Sequence, residues 1–167
     1  ALTQIKDGRI VTFDSNKEYT NGNVCFWTTL FYYQMTNKIE NAFCRFRNGF
    51  EYLEKEDKIL VAGNGTVQII DTKNCCIHYM YNFYDIFNQK IMFVRSLRDG
   101  TVICGTKDRD EFGKMFKFNL EIKQPFKIDT PFNYEYLSIG MNTLENFVTG
   151  DLNGNIIFWK VNYNEYS

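Results

Sequence analysis

The segment FVTGDLNGNIIFWKV, residues Phe147–Val161, has the layout of a β-hairpin. Two runs of β-branched and aromatic residues flank a polar stretch that contains Asn153-Gly154, and such pairs tolerate the positive φ angles that tight hairpin turns require. Trp159 closes the second run. Because a single hairpin is only marginally stable in water, this segment decides the fold only if the same layout recurs along the chain.

The layout does recur. Three further copies each contain a strand, a polar turn and a second strand: Lys6–Trp27, Glu56–Asp71 and Arg98–Leu120. The second strands of the four copies close at Trp27, Ile70, Phe118 and Trp159. The first strands close at Phe13, Gly63, Gly105 and Gly150. These positions repeat with a period of about 40 to 45 residues, which is typical of the blades of a β-propeller.

Further runs of β-formers flank the copies and bring each unit to four short strands. The strands predicted before the copies are Leu2–Lys6, Phe50–Glu54, Ile91–Leu97 and Tyr134–Ile139. Those predicted after the copies are Phe31–Met35, Ile77–Tyr81 and Phe126–Ile128. Turns are predicted at Asp7-Gly8, Asn21-Gly22, Asn64-Gly65, Asp99-Gly100 and Asn153-Gly154. The fourth unit has no predicted fourth strand, because the sequence ends at Ser167.

The repeat resembles the WD-repeat family of β-propellers. The segment VTGDLNGNIIFWKV is similar to that family's Gly–x–Asp–x–x–Gly–x–Ile–x–x–Trp pattern, and Asp71 stands where the family often has an aspartate. Ile70 and Phe118 replace the tryptophan, and no Gly-His dipeptide precedes a first strand. The resemblance implies a propeller in which the family's His, Ser/Thr, Asp and Trp network is incomplete, so we expect apolar packing to hold the blades together.

We therefore predict an all-β fold: a WD-repeat-like β-propeller of about four four-stranded antiparallel blades, the last incomplete. The whole chain, 1–167, forms one partial propeller with approximate blades 1–36, 37–82, 83–129 and 130–167. A blade buries its faces only against neighbouring blades, so four blades in a row leave two faces open. We expect a piece of a longer ring, or half of a paired ring; a self-closed four-blade unit is the alternative. The missing initiator methionine favours a processed chain or an excised piece.

The predicted binding surface is the edge of the propeller that carries the longer loops. These are Asp14–Asn23, Asn37–Gly49, Asn82–Lys90 and Thr106–Lys114, whereas the opposite hairpins are tight. Rigid scaffolds commonly carry their function on such loops, and arginine beside aromatic residues is a common interface mixture. The candidate partner-binding residues are Arg45, Phe46, Arg47, Tyr84, Arg109 and Tyr134. For any one of these residues the competing interpretation is that it packs its own loop or faces water.

The predicted function is that of a protein-interaction scaffold, which binds a peptide or a partner subunit through these loops. The first alternative is a structural subunit of a large assembly, with self-association or pairing to further blades. An alternative of another class is a propeller-type hydrolase, but the chain has no G-x-S-x-G motif and only one histidine, His78. We therefore expect no enzymatic activity and no cofactor.

The amino-acid composition indicates which classes of partner, compartment and metal site to expect. The chain has 19 basic and 20 acidic residues, without the basic excess that nucleic-acid binding favours. Its longest apolar run, residues 24–33, is shorter than the roughly 20 residues that span a bilayer. Five cysteines at irregular spacings favour a reduced, cytoplasmic protein with buried thiols, and Cys75, Cys76 and His78 are too few for a structural zinc site. We expect no metal.

Overall fold

The computed structural model describes residues 2–15, 22–28, 34–42, 49–63, 65–82, 90–97, 100–107, 114–119, 125–128, 136–141, 146–151 and 153–160. All regular elements in these ranges are β-strands. They are β1 (Leu2–Gln4), β2 (Ile10–Ser15), β3 (Gly22–Thr28), β4 (Gln34–Ala42), β5 (Phe50–Leu53), β6 (Lys58–Gly63), β7 (Thr66–Asp71), β8 (Cys76–Asn82), β9 (Lys90–Ser96), β10 (Thr101–Lys107), β11 (Met115–Asn119), β12 (Pro125–Ile128), β13 (Tyr136–Met141), β14 (Asn146–Asp151) and β15 (Ile156–Lys160).

The strands form four antiparallel sheets in which each strand pairs with the next along the chain. The first sheet is β1-β2-β3-β4, the second β5-β6-β7-β8, the third β9-β10-β11-β12 and the fourth β13-β14-β15. The predicted all-β fold with four successive sheets is confirmed. The fourth sheet has three strands within the described residues. Residues 161–167, which follow its third strand in the sequence, lie outside the described ranges, so the prediction of an incomplete last blade is not tested.

The sheets stack face to face and share their cores. One cluster packs Val11, Val24 and Phe26 of the first sheet against Ile59 and Ile70 of the second. A second cluster joins the second and third sheets, and a third joins the third and fourth. Strand β9 lies against β5 on one side and against β13 on the other, so the first strands of these sheets are neighbours. Successive sheets whose first strands converge form the radial arrangement of a propeller.

The hairpin turns follow the predicted chemistry at four of the five glycine pairs. Gly8, Gly65, Gly100 and Gly154 all have positive φ. In the last of these turns Asp151 accepts hydrogen bonds from the backbone N–H groups of Asn153 and Asn155, at 3.0 and 2.8 Å. Burial of Asp151 opposes ionisation, but the hydrogen bonds from Asn155, Asn153 and Gly154 outweigh it and lower the pKa of the carboxyl.

The fifth pair, Asn21-Gly22, was predicted as a turn, and Gly22 is instead the first residue of strand β3, opposite Ser15. Its requirement for glycine is steric. A Cβ at Gly22 would overlap the Asp14 carbonyl oxygen and the Phe13 ring. The glycine is therefore explained by close approach of side chain and backbone within the sheet rather than by its φ angle.

The sequence analysis placed Gly63, Gly105 and Gly150 at equivalent positions at the ends of first strands. This equivalence is one residue out of register for Gly63. Gly105 and Gly150 occupy equivalent ladder positions, opposite Met115 and Ile156. In the second sheet that ladder position, opposite Val67, belongs to Ala62, not Gly63. In the second sheet the ladder continues for one more pair, Gly63 with Thr66, before the chain reverses.

The largest correction concerns the fourth strand of the first sheet. The sequence predicted a strand at Phe31–Met35, a loop at Asn37–Gly49 and a blade boundary after residue 36. Strand β4 instead runs from Gln34 to Ala42 and pairs with β3 across two register shifts. The bulges and the mostly polar sequence of β4 hide the strand from a search for runs of β-formers. Strand β13 likewise begins at Tyr136, so Tyr134 lies outside it.

Candidate interaction surfaces

The six residues predicted to bind a partner all lie outside the described residues. They fall in four connecting segments: Arg45, Phe46 and Arg47 in residues 43–48, Tyr84 in 83–89, Arg109 in 108–113 and Tyr134 in 129–135. The structure therefore does not test these six predictions. It does place the strand ends from which each of the four segments departs.

Those strand ends share one edge of the sheets, here called the upper edge. In a four-stranded antiparallel sheet, the connection between its second and third strands and the exit from its fourth strand lie at the same edge. The segment 108–113 follows β10, the second strand of its sheet, and the other three segments lead from a fourth strand to the first strand of the next sheet. The upper edge therefore gathers all four segments. The opposite, lower edge carries the short turns at 5–9, 54–57, 72–75 and 97–100.

At the lower edge Arg9 ties the first sheet to the second. Its guanidinium donates to the Thr72 carbonyl oxygen at 2.7 Å and to Cys75 Sγ at 3.1 Å. The same group lies 5.1 Å from the centre of the Phe26 ring and pairs with Asp7 at 2.6 Å. The hydrogen bond from Arg9 is the main cause that lowers the pKa of Asp7. One cation thus joins two turns and an aromatic core residue.

Tyr52 makes a second tie between the same two sheets, through the turns 5–9 and 54–57. Its hydroxyl accepts the backbone N–H of Lys6 at 3.0 Å and donates to Asp57 Oδ1 at 2.8 Å. Asp57 has a positive φ of 50°, and its carbonyl oxygen accepts a hydrogen bond from the Thr72 hydroxyl at 2.7 Å. The lower edge of the first two sheets is therefore a connected polar network.

A half-buried carboxylate joins the second and third sheets. Glu51 on β5 accepts the backbone N–H of Ser96 at 2.6 Å and the Ser96 hydroxyl at 3.2 Å. Burial raises the pKa of Glu51, although the Arg95 charge and the Ser96 hydrogen bonds oppose the shift. The sequence analysis missed this residue. Its only signal is one acidic residue inside a predicted strand of apolar neighbours.

Two blades carry the hydrogen bond between tryptophan and threonine that the sequence left in doubt. Trp27 Nε1 donates to Thr12 Oγ1 at 2.9 Å in the first sheet, and Trp159 Nε1 donates to Thr149 Oγ1 at 2.8 Å in the fourth. Trp159 also stacks on Phe147, with ring centres 5.6 Å apart. Both hydrogen bonds lie within one sheet, and the contacts between consecutive sheets are largely apolar clusters, in agreement with the expectation that apolar packing contributes more than buried polar ties.

In the other two sheets both partners of this pair change together. The ladder register places Ile70 and Val61 at these positions in the second sheet, and Phe118 and Cys104 in the third. All four side chains are buried. Where the indole donor is lost, an apolar side chain or a thiol replaces the hydroxyl acceptor, which avoids a buried polar group without a partner.

Large apolar side chains are exposed on both end sheets and, in the second sheet, at Ile77 and Met80 of the outer strand β8. On the fourth sheet Ile156 and Phe158 are exposed, whereas Ile157 and Trp159 on the other side of the same strand pack toward the third sheet. On the first sheet Leu2 and Met35 are exposed. Exposed apolar side chains that share a sheet face mark a candidate interaction surface.

The cysteines only partly follow the prediction of buried thiols. Cys25 and Cys104 are buried, Cys75 is half-buried and Cys76 is exposed, and none of these four forms a disulfide. Burial raises the pKa of Cys104 to about 12, so its thiol stays protonated. Within the described ranges, no group of three or more His, Cys, Asp and Glu residues is arranged to hold a metal ion. Nor do these ranges contain a helix long and apolar enough to span a membrane.

Comparisons with known proteins show the fold and no sequence family. No protein-family model matches the chain, and no curated protein matches it in sequence. The computationally designed Ika4 protein is similar in structure, with a TM-score of 0.68 and 12% identity over 97% of this chain and 92% of that one. The WD40 β-propeller domain of Doa1 is similar with a TM-score of 0.65 and 12% identity, over 95% of this chain and 50% of that one.

These similarities establish a β-propeller fold for the chain. The chain spans 92% of the Ika4 chain but only half of the Doa1 chain. At 12% identity they carry no activity or ligand from either protein.

Proposed function

We propose that this chain is a protein-interaction module of the propeller type, a WD-repeat-like segment that binds a protein or peptide partner through its upper edge. The observation that carries the proposal is the gathering of four connecting segments at one edge of a stack of sheets with shared cores. Loops on a rigid scaffold are a common site of function. The similarity to a WD40 propeller domain is consistent with a role in binding.

The rigidity of the scaffold comes from ties between consecutive sheets. Arg9 and Tyr52 connect the first sheet to the second, and Glu51 connects the second to the third. A fixed base lowers the entropic cost of binding at the upper edge.

The upper-edge segments carry residue types suited to protein recognition. Arg45, Phe46 and Arg47 alternate a guanidinium with an aromatic ring, and Tyr84, Arg109 and Tyr134 supply the same groups on neighbouring segments. Arginine and tyrosine are enriched among interface residues whose truncation costs about 2 kcal/mol or more of binding free energy. The near balance of acidic and basic residues in the chain favours a protein partner over nucleic acid.

The test is a charge reversal at the upper edge. The double variant Arg45→Glu and Arg47→Glu should lose partner capture about 30-fold or more while keeping the melting temperature of the wild type. The measurement is quantitative affinity capture from a cell extract with the 167-residue chain as bait, followed by titration of the captured protein in purified form.

The matched control reverses two charges at the lower edge. Lys55 and Lys73 are exposed in the turns 54–57 and 72–75. The double variant Lys55→Glu and Lys73→Glu should retain the partner at wild-type affinity. Equal loss in the two double variants would show a nonspecific charge effect, and retention by the upper-edge variant would reject this edge as the binding surface.

A second candidate function is favoured by the uncovered end sheets. In this role the chain is a structural subunit whose open sheet faces pair with other blades in a larger assembly. The exposed side chains of Ile156 and Phe158 support it, because apolar residues on a sheet face are normally covered. Both candidates are binding roles in the cytoplasm, and we propose no catalytic role for His78, which is exposed on the outer strand β8.

A further inference from the structure

Each sheet in the stack has two distinct faces. The forward face of a sheet points toward the next sheet in chain order, and the back face points toward the preceding one. Val24 and Phe26 belong to the forward face of the first sheet and pack on the back face of the second, which contributes Phe50, Val61 and Ile70. The same division holds at the two other junctions between consecutive sheets.

The forward face of the fourth sheet repeats the pattern of the covered forward faces. The ladder register makes Ile156 equivalent to Val24, Val67 and Met115. Those three side chains are 0% exposed, whereas Ile156 is 67% exposed.

Phe158 shows the same contrast. It is equivalent to Phe26 and Ile69, which are 0% and 4% exposed, but is itself 76% exposed. Lys117 takes this position in the third sheet. The fourth sheet therefore ends in a face built like those that the structure covers elsewhere.

The back face of the first sheet also carries an apolar side chain that is exposed where its equivalents in the other sheets are buried. Leu2 pairs with Thr12 and is equivalent to Phe50, Val94 and Ile139. Those three side chains are at most 7% exposed, whereas Leu2 is 69% exposed.

A second row crosses the same face beside Leu2. Trp27 is opposite Ile10 on one side and Met35 on the other. Trp27 is equivalent to Ile70 and Phe118, both buried against the preceding sheet. The free back face thus includes Leu2, Ile10 and Trp27 around Thr12, with Gln4 beside Ile10. Met35 lies at its outer edge, where the equivalent Ile77 of the second sheet is 39% exposed.

We propose that a second copy of this chain covers both faces and closes a ring. The forward face of the fourth sheet of one copy docks on the back face of the first sheet of the other, and the reverse contact forms at the opposite junction. This inference deepens the second candidate function by naming the partner. Two observations support it: the faces repeat the two sides of the internal junctions, and the chain covers half of the WD40 propeller chain of Doa1, so that two copies match the length of that chain.

The geometry predicts a closed dimer rather than an open chain of copies. Each junction is heterologous, because a forward face meets a back face. Heterologous contacts close when the rotation per subunit divides the circle, and half a ring per copy meets this condition with two copies. Burial of six apolar side chains per junction supplies the driving force, since each removes its exposed surface from water.

The test measures the mass of the 167-residue chain in solution by light scattering coupled to size-exclusion chromatography. The expected mass is twice the 19.8 kDa of one chain across the micromolar range. The double variants Ile156→Lys/Phe158→Lys and Leu2→Lys/Met35→Lys should each be monomeric, because either change damages both junctions. Circular dichroism should show the wild-type β-sheet spectrum in both, since all four side chains are exposed in one copy.

Mixing the two variants separates this arrangement from other pairings. The forward face of one variant and the back face of the other remain intact, so the mixture should form a heterodimer through one junction, weaker than the wild-type dimer. Met80→Lys on β8, at an exposed apolar side chain away from both faces, is the control and should stay dimeric.

The remaining outcomes each overturn the proposal. A monomeric wild-type chain would mean that the faces are covered by a different protein or by further blades. A dimer that survives Leu2→Lys/Met35→Lys would mean that two forward faces pair with each other. Larger open oligomers would show that two copies do not close the ring. None of these results affects the upper-edge test of Arg45 and Arg47, so the two hypotheses fail separately.

Discussion

At the scale of single residues, half-buried polar groups join consecutive sheets at points where the sheets meet. Glu51 is the clearest case, because its carboxylate lies between β5 and β9 and accepts two hydrogen bonds from Ser96. A carboxylate in such a place connects two sheets but loses hydration when the chain folds. Burial is the dominant influence on the pKa of Glu51, which it raises above the ordinary value of 4.5.

The pH dependence of stability follows from the sign of that shift. With a raised pKa the folded state holds a proton on Glu51 that the unfolded state has released, so this residue makes the chain less stable as pH rises from 4.5 through the raised pKa. The variant Glu51→Gln has no carboxyl group to titrate at this position, and its amide oxygen can still accept a hydrogen bond from Ser96. We expect the variant to gain stability relative to the wild type between acidic and neutral pH.

Urea unfolding of both proteins below pH 4.5 and at pH 7 measures this difference. The variant Glu54→Gln, at an exposed residue three positions along the chain, is the control and should show no such trend. A constant difference in unfolding free energy between Glu51→Gln and the wild type would show that the Arg95 charge and the Ser96 hydrogen bonds fully offset burial.

At the scale of elements, sequence patterns predicted strands well where they are apolar and poorly where they are polar. The four strands of the second sheet lie within a residue or two of their predicted bounds, because runs such as KILVAG and TVQIID each contain at least three of Val, Ile, Leu and Thr. Strand β4, with the sequence QMTNKIENA, is mostly exposed and has little such signal. Its pairing with β3 determines its structure, and pairing is not visible in a local pattern.

The ties between elements were beyond prediction for a related reason. Arg9 and Cys75 are 66 residues apart in sequence, and Glu51 and Ser96 are 45 apart. The repeat predicts that consecutive sheets stack, but it does not give the side-chain directions at their edges. The upper edge was predictable from connection lengths, whereas the polar network at the lower edge needed coordinates.

The Arg9 tie gives a prediction at this scale. Removing the guanidinium in Arg9→Ala breaks the hydrogen bonds to the Thr72 carbonyl and Cys75 and the contact with Phe26, and leaves a carbonyl without its charged donor. We expect a loss of about 1–3 kcal/mol in the free energy of unfolding. Chemical denaturation with tryptophan fluorescence as the signal measures it.

The control for Arg9 is another cation in a salt bridge of similar length. Lys38 pairs with Glu40 at 2.9 Å on strand β4, and both side chains are exposed. Lys38→Ala should leave the unfolding midpoint unchanged, since exposed ion pairs add little stability. Equal effects of the two substitutions would mean that Arg9 contributes through surface charge alone, without a role in joining the sheets.

At the scale of the whole molecule, stability should vary with the number of covered faces. The second and third sheets are packed on both sides, whereas the first and fourth are packed on one. In stacked repeats each unit is stabilised mainly by its nearest neighbours, so an end unit opens more readily than a middle one. A single copy should therefore unfold from its ends.

Hydrogen exchange on the Ile156→Lys/Phe158→Lys variant tests this gradient, because that variant is a single copy whether or not the wild type closes a ring. We expect amides of β6 and β7 to exchange slowest and paired amides of β14 and β15 about tenfold faster, which corresponds to about 1.4 kcal/mol less opening free energy. In a wild-type dimer, protection of β14 and β15 should rise toward that of the middle sheets. Uniform exchange across all four sheets of the variant would instead show that the stack opens as one cooperative unit. The uncovered face would then not lower the local stability of the fourth sheet below that of the other sheets.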